Sequence, residues 1–104
     1  MLAFEQTRLD SLQKKALSQA LKDVEGSIYL FGSRADLNRK GGDVDIMIIS
    51  DQLYKVHFKK SLKIAVDYLA ICDEKIDVVI FPSYDNQSHV QKDFFDHILK
   101  RQLQ

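Results

Sequence analysis

Cysteine and proline each occur once in 104 residues. A lone Cys72 forms no intrachain disulfide and has no companions at metal-ligand spacing. That excludes a disulfide-stapled scaffold and makes the reducing cytoplasm the expected compartment. No proline- or glycine-rich linker, repeat or low-complexity segment interrupts the chain, and its length suits one core rather than two, so a single domain over residues 1–104 is expected. Neither sign of charge dominates: 15 basic and 15 acidic residues balance to zero with no block of like charge. Long-range attraction to nucleic acid is therefore absent, and no direct nucleic-acid partner is expected. Also missing are the run of about 18 apolar residues that a membrane span needs and, in the opening MLAFEQTRLD, the basic-then-apolar pattern of a leader. A soluble, unprocessed protein is the expectation.

What is present is periodic. Leu9, Leu12, Ala16, Leu17, Ala20, Leu21 and Val24 recur at steps of three and four, predicting an amphipathic helix over 7–24. Thr7 and Asp10 have capping-box spacing, and Gly26 is a candidate stop. SIYLF (27–31) reads as a strand, RADLNRK (34–40) as a short helix or irregular loop broken by Gly41-Gly42, and DVDIMIIS (43–50) as an interior strand. Phe58, Leu62, Ala65, Val66 and Leu69 predict a helix over 53–72, with Asp73, Glu74 and Lys75 as the turn out. IDVVIF (76–81), closed by Pro82, is a third strand. A last helix runs from Ser88 and ends with Lys100 and Arg101, which suit the negative end of its dipole.

The order describes an α/β (α+β) domain: a small mixed sheet of at least three strands flanked by helices. The second and third strands are joined by a connection long enough for a right-handed parallel crossover, and the first can lie antiparallel to the second. The end of the first strand and the starts of the other two then meet at one edge of the sheet.

Chemistry gathers at that edge. Gly32-Ser33 ends the first strand, Asp43 and Asp45 open the second, and Asp77 is the one charged residue in the third. Asp43 and Asp45 project from the same face, about 7 Å apart by strand rise. Clustered carboxylates beside apolar strands are costly unless compensated, and divalent cations compensate them. Magnesium takes carboxylate and phosphate oxygens, and two ions roughly 3.5–4 Å apart serve phosphoryl or nucleotidyl transfer. A glycine permits close backbone approach, and a serine opening a helical turn offers hydroxyl and amide to a phosphate. Arg34, Arg39 and Lys40 are near enough in sequence to offset triphosphate charge. Singly, each feature is an ordinary turn element; in this order they point to a nucleotide and its metal ions.

With these residues in this order, FGSRADLNRKGGDVD followed by KIDVVIF, the chain resembles the polymerase-beta-like nucleotidyltransferases, and within them the minimal nucleotidyltransferase (MNT) proteins. The resemblance implies a nucleotidyltransferase fold. It also implies that Gly32 and Ser33 hold the triphosphate of ATP, and that Asp43, Asp45 and Asp77 bind two Mg2+ ions. Asp77 would in addition help deprotonate an incoming hydroxyl. Standalone MNT proteins of this size resemble antitoxins of HEPN-domain proteins, some of which they inactivate by transferring AMP to a tyrosine. The implied function is therefore adenylyl transfer to a HEPN partner, or neutralisation of that partner by contact alone. Two departures stand out: the family's frequent GSRARG is GSRADL here, with Asp36 and Leu37, and the usual Ser before the first aspartate is Gly42. Asp36 adds negative charge near the expected triphosphate. An Asp-x-Asp pair also occurs in nucleotide-sugar glycosyltransferases, but the chain is short for such an enzyme. His57, His89 and His97 have no metal-ligand spacing, and Cys72 reads as a small buried hydrophobe.

Overall fold

The structure is a computed structural model, and it describes residues 2–104. Side-chain alternation along three strands decides the architecture. β1 (Ser27–Phe31) turns Ile28 and Leu30 to one side and Tyr29 and Phe31 to the other. β2 (Val44–Ile49) does the same with Val44, Ile46 and Ile48 against Asp45, Met47 and Ile49, and β3 (Ile76–Phe81) with Ile76, Val78 and Ile80 against Asp77, Val79 and Phe81. Register matches like with like: Ile28 lies opposite Ile48, Leu30 opposite Ile46, and Val44 beside Ile76. A slip of one residue would drive Asp45 and Asp77 into the core, so the pairing is strongly specified.

β1 pairs antiparallel with β2, and β2 pairs parallel with β3, as expected. A fourth strand, β4 (Lys100–Gln102), pairs antiparallel with β1 and completes the order β3-β2-β1-β4. β4 overturns the expectation that Lys100 and Arg101 end a helix. The last helix, α4 (His89–His97), is capped by Ser88 and Gln91 and stops at Ile98, whose backbone is extended. Leu103, buried just beyond β4, donates its backbone N–H to Ile28 at 2.7 Å and anchors the segment.

The first helix, α1 (Ser11–Ala20), is shorter than the predicted span. Its cap is Asp10 with Gln13 rather than Thr7 with Asp10, because the Thr7 hydroxyl donates to Phe4 O instead. Gln13 is buried through its capping bond and a bond to Glu74, while Leu12 points outward at 48 % exposure. Gly26 does not stop the helix. It sits at φ +124°, where a Cβ would meet Ile49 O at 2.5 Å, so it permits the close approach of the chain to β2.

The predicted helix over 53–72 is two: a single turn, α2 (Asp51–Tyr54), capped by Ser50, and α3 (His57–Cys72). α3 buries Ile64, Tyr68 and Cys72, not the series that predicted it: Phe58, Leu62, Val66 and Leu69 are all exposed. The core lies between the sheet and α1 with α3, where Ala16, Leu17, Ile64 and Tyr68 meet Ile28, Leu30, Ile46 and Ile48. α4 crosses the other side of the sheet.

Candidate active site

Gly32 leaves β1 at φ +74°, and a Cβ there would lie 2.7 Å from Asp45 Oδ2, so the glycine lets the turn pass directly over a carboxylate. Gly32 to Ala35 form one 3₁₀ turn, with Ser33 half-buried within it. Gly42, at φ +87°, returns against this turn, and any Cβ there would collide with Ser33 Oγ. A side chain at position 42 would be strained at that φ and would need Ser33 to move, so glycine suits this turn.

Arginines stitch the turn to its surroundings. Arg8 Nη2 donates to Ser33 O at 3.0 Å and Gly41 O at 2.8 Å, and its Nε donates to Asp36 O at 3.0 Å. Arg34 Nε donates to Gly42 O and its Nη1 to Arg8 O, while Arg101 Nε donates to Ala35 O at 3.3 Å. A guanidinium is donor-only and forked, which suits it to bind several carbonyls of one loop. Arg34 thus spends one nitrogen on the loop and one on Arg8, whereas Arg39 and Lys40 stand exposed on the loop. Neither Arg8 nor Arg101 carries a sequence signal for this work. Their partners lie 25 or more positions away and are backbone carbonyls, which any residue supplies.

Asp36 follows the 3₁₀ turn in extended backbone. Its Oδ1 accepts the backbone N–H of Asn38 at 2.9 Å. The carboxylate therefore shapes the loop 36–38 in an Asx turn, and Leu37 beside it is 51 % exposed.

The carboxylates stand on the α4 side of the sheet. Asp45 is flanked by Phe31 across the β1 pairing and by Asp77 across the β3 pairing. Its pKa is pushed up to about 6, first by burial, then by the Asp77 charge and hydrogen bonding with that carboxyl, and last by Asp43. Asp43 and Asp77 are exposed while Asp45 is half-buried. An oxygen-only donor pair with uncompensated charge is the chemistry of a hard divalent cation site, so Asp45 and Asp77 fit magnesium. Among the described residues, however, no three Asp, Glu, His or Cys side chains are gathered closely enough to hold a metal ion, and Asp43 is not drawn into a cluster with the pair.

Around the pair the sheet face is aromatic. Phe94 of α4 meets Phe31 and Phe81 edge-on at 5.5 and 5.9 Å, Phe95 meets Tyr29 at 5.5 Å, and Lys100 Nζ lies 4.4 Å from the Phe95 ring centre. The three histidines stay outside: His57 stacks on Tyr54, His97 bonds Asp93 O, and His89 is exposed. Cys72 is buried, as expected of a small hydrophobe. No described helix is long and apolar enough to cross a membrane.

A four-stranded mixed sheet that brings a Gly-Ser turn over the carboxylates of adjacent parallel strands, with helices on both sides, is consistent with the nucleotidyltransferase fold. The family model described as Polymerase beta, Nucleotidyltransferase matches residues 13–101, and the chain belongs to that family. Nucleotidyl transfer is the general function this membership supports. A comparison with curated proteins returned no match.

Proposed function

We propose that the protein is a magnesium-dependent adenylyltransferase that moves AMP from ATP to a hydroxyl of a partner protein, as the MNT antitoxin of a HEPN partner in the cytoplasm. The observation that carries this reading is Asp45 beside Asp77 on adjacent parallel strands, under the Gly32-Ser33 turn, with the Asp45 carboxyl pushed up to about 6 by burial and by the neighbouring Asp77 charge. Asp45 and Asp77, with Asp43 at the mouth of β2, would hold Mg2+, which when bound neutralises the carboxylates and the phosphate oxygens.

The chain's own residues do the rest. The Ser33 hydroxyl, held against Gly42, meets the triphosphate, and Arg8 and Arg34 keep the turn in shape through its carbonyls. Arg39 and Lys40 offset phosphate charge from the exposed loop. An Asp77 carboxylate oxygen takes the proton of the acceptor hydroxyl. As the acceptor's oxygen, freed of that proton, bonds to the α-phosphorus, the bond from the α-phosphorus to the oxygen bridging it to the β-phosphorus breaks and pyrophosphate leaves. The partner supplies the acceptor.

The test incubates the protein and its native partner with labelled ATP and magnesium, followed by mass spectrometry. One residue of the partner is expected to gain AMP with the wild type and none with Asp43→Asn or Asp45→Asn. If wild type and variants are equally inert, the enzyme reading fails. A second reading, a binding module that neutralises the partner by contact, is favoured by Asp43 standing apart from the pair and by Arg34 turning into the loop. Full neutralisation by an Asp43→Ala, Asp45→Ala double variant would select it.

A further inference from the structure

An unpartnered apolar surface runs along the outer side of α3. Phe58, Leu62, Val66 and Leu69 are 78, 57, 54 and 45 % exposed. Steps of four, four and three place them in one stripe along the helix. The side of α3 that holds the fold together is elsewhere, at Ile64, Tyr68 and Cys72, so nothing in the domain's own packing requires the stripe. Between it and β3, an edge strand, runs a groove of about 210 Å³ lined by Phe58, Ser61, Leu62, Ala65, Val78 and Asp77. Asp77 thus borders the groove from the edge strand, while its carboxylate stands round that edge on the α4 side of the sheet.

Charge sets the other flank. Lys59 and Lys63 follow Phe58 and Leu62 one position round the helix, and Lys60 joins them with Val56 in an adjoining hollow. The acid on α3 is Asp67, in an exposed pair with Lys63 at 2.7 Å, which leaves this flank basic in a chain of zero net charge. An apolar stripe with a basic flank is complementary to an amphipathic helix with an acidic flank. A second copy fits less well, because antiparallel two-fold pairing of α3 would set Lys59 and Lys63 against their own copies. A lipid surface also fits less well, because the groove is concave where a bilayer is flat.

We propose that α3 is where the acceptor protein docks, through an amphipathic helix of that protein whose apolar side chains fill the groove and whose Asp or Glu residues face Lys59 and Lys63. The proposal rests on the reading of Asp77 as the group that receives the acceptor's proton. Docking there brings the acceptor to the edge strand that carries Asp77, with no second domain needed to hold it.

The test places a photoreactive benzoylphenylalanine at Val66 of the full chain, in the cells that make it, with the same group at exposed Leu12 of α1 as control. The expected result is one dominant adduct from Val66 and not from Leu12, to a helical segment of a second protein with apolar residues at steps of three and four beside Asp or Glu. Its yield should fall about tenfold in Lys59→Glu, Lys63→Glu and in Phe58→Ser, all at exposed positions, and stay unchanged in Asp43→Asn. Adducts to a second copy of this chain, to lipid or to a segment without acidic residues, or none above the Leu12 control, would overturn the proposal. Capture that persists from a chain shown to have no transfer activity leaves the docking surface standing and counts against the catalytic reading alone.

Discussion

On the side of the sheet covered by α1 and α3, Ile28, Leu30, Val44, Ile46 and Ile48 are all but fully buried. On the side crossed by α4, the same strands present Tyr29, Phe31, Asp45 and Asp77, none of them fully buried. Met47 is the buried exception on the second side. One alternation of side chains thus serves two purposes. The closed side supplies burial, while the open side keeps carboxylates close together at some cost to stability. That cost is bearable because Asp45 keeps access to solvent and, in the reading offered above, to a cation.

The comparison is broken most strongly from the closed side. Leu17→Ala, at a position with no exposure, is expected to cost about 2–5 kcal/mol in chemical denaturation, since the cavity cannot collapse against a rigid sheet. On the open side the larger effect is on activity. Asp45→Asn removes a proposed metal ligand, and nucleotidyl transfer measured with magnesium and ATP is expected to fall by at least ~100-fold, the scale on which even outer-shell changes weaken metal sites. Arg8→Ala removes the guanidinium shared by three carbonyls of the Gly32–Gly41 loop, of which Ser33 O and Asp36 O keep a backbone donor. A loss of roughly 1.5–3 kcal/mol is expected, with weaker ATP binding by titration calorimetry although Arg8 need not touch the nucleotide. The smallest effect belongs to the aromatic cover. Phe94 is 36 % exposed, so Phe94→Ala is expected to cost about 1 kcal/mol by the same denaturation measurement.

The two sides also differ in how much of each is legible in the sequence. The three apolar strands, their mixed pairing and the meeting of Gly32-Ser33, Asp45 and Asp77 at one edge were legible, because alternation and connection length are local properties. β4 was not. Lys100, Arg101 and Gln102 have no apolar pattern, and they form a strand because α4 has ended and the edge of β1 is open. The stripe of α3 was legible as helical spacing, but a stripe does not say whether it faces the core, and here a polar-interrupted set, Ile64, Tyr68 and Cys72, does so instead. At the site, Arg8 and Arg101 were hidden because their partners are distant backbone carbonyls. Asp36 read as a charge opposed to the triphosphate, while in the fold its carboxylate is an Asx-turn acceptor for Asn38.

Because the folded-state pKa of Asp45 lies above its ordinary value of 3.8, at about 6, the folded chain binds that proton more tightly than the unfolded one. The carboxyl therefore costs nothing below the ordinary value. Its penalty grows as pH rises from there to about 6 and is complete above. The most direct test of the two-sided account compares thermal unfolding of wild type and Asp45→Asn in chelator at pH 7.5, then below pH 4, then at pH 7.5 with magnesium and ATP. The expected result is that Asp45→Asn melts higher in chelator at pH 7.5, that the gap closes in acid, and that magnesium with ATP raises the wild type alone. A wild type at least as stable as Asp45→Asn in chelator at pH 7.5, and unmoved by magnesium and ATP, would contradict it.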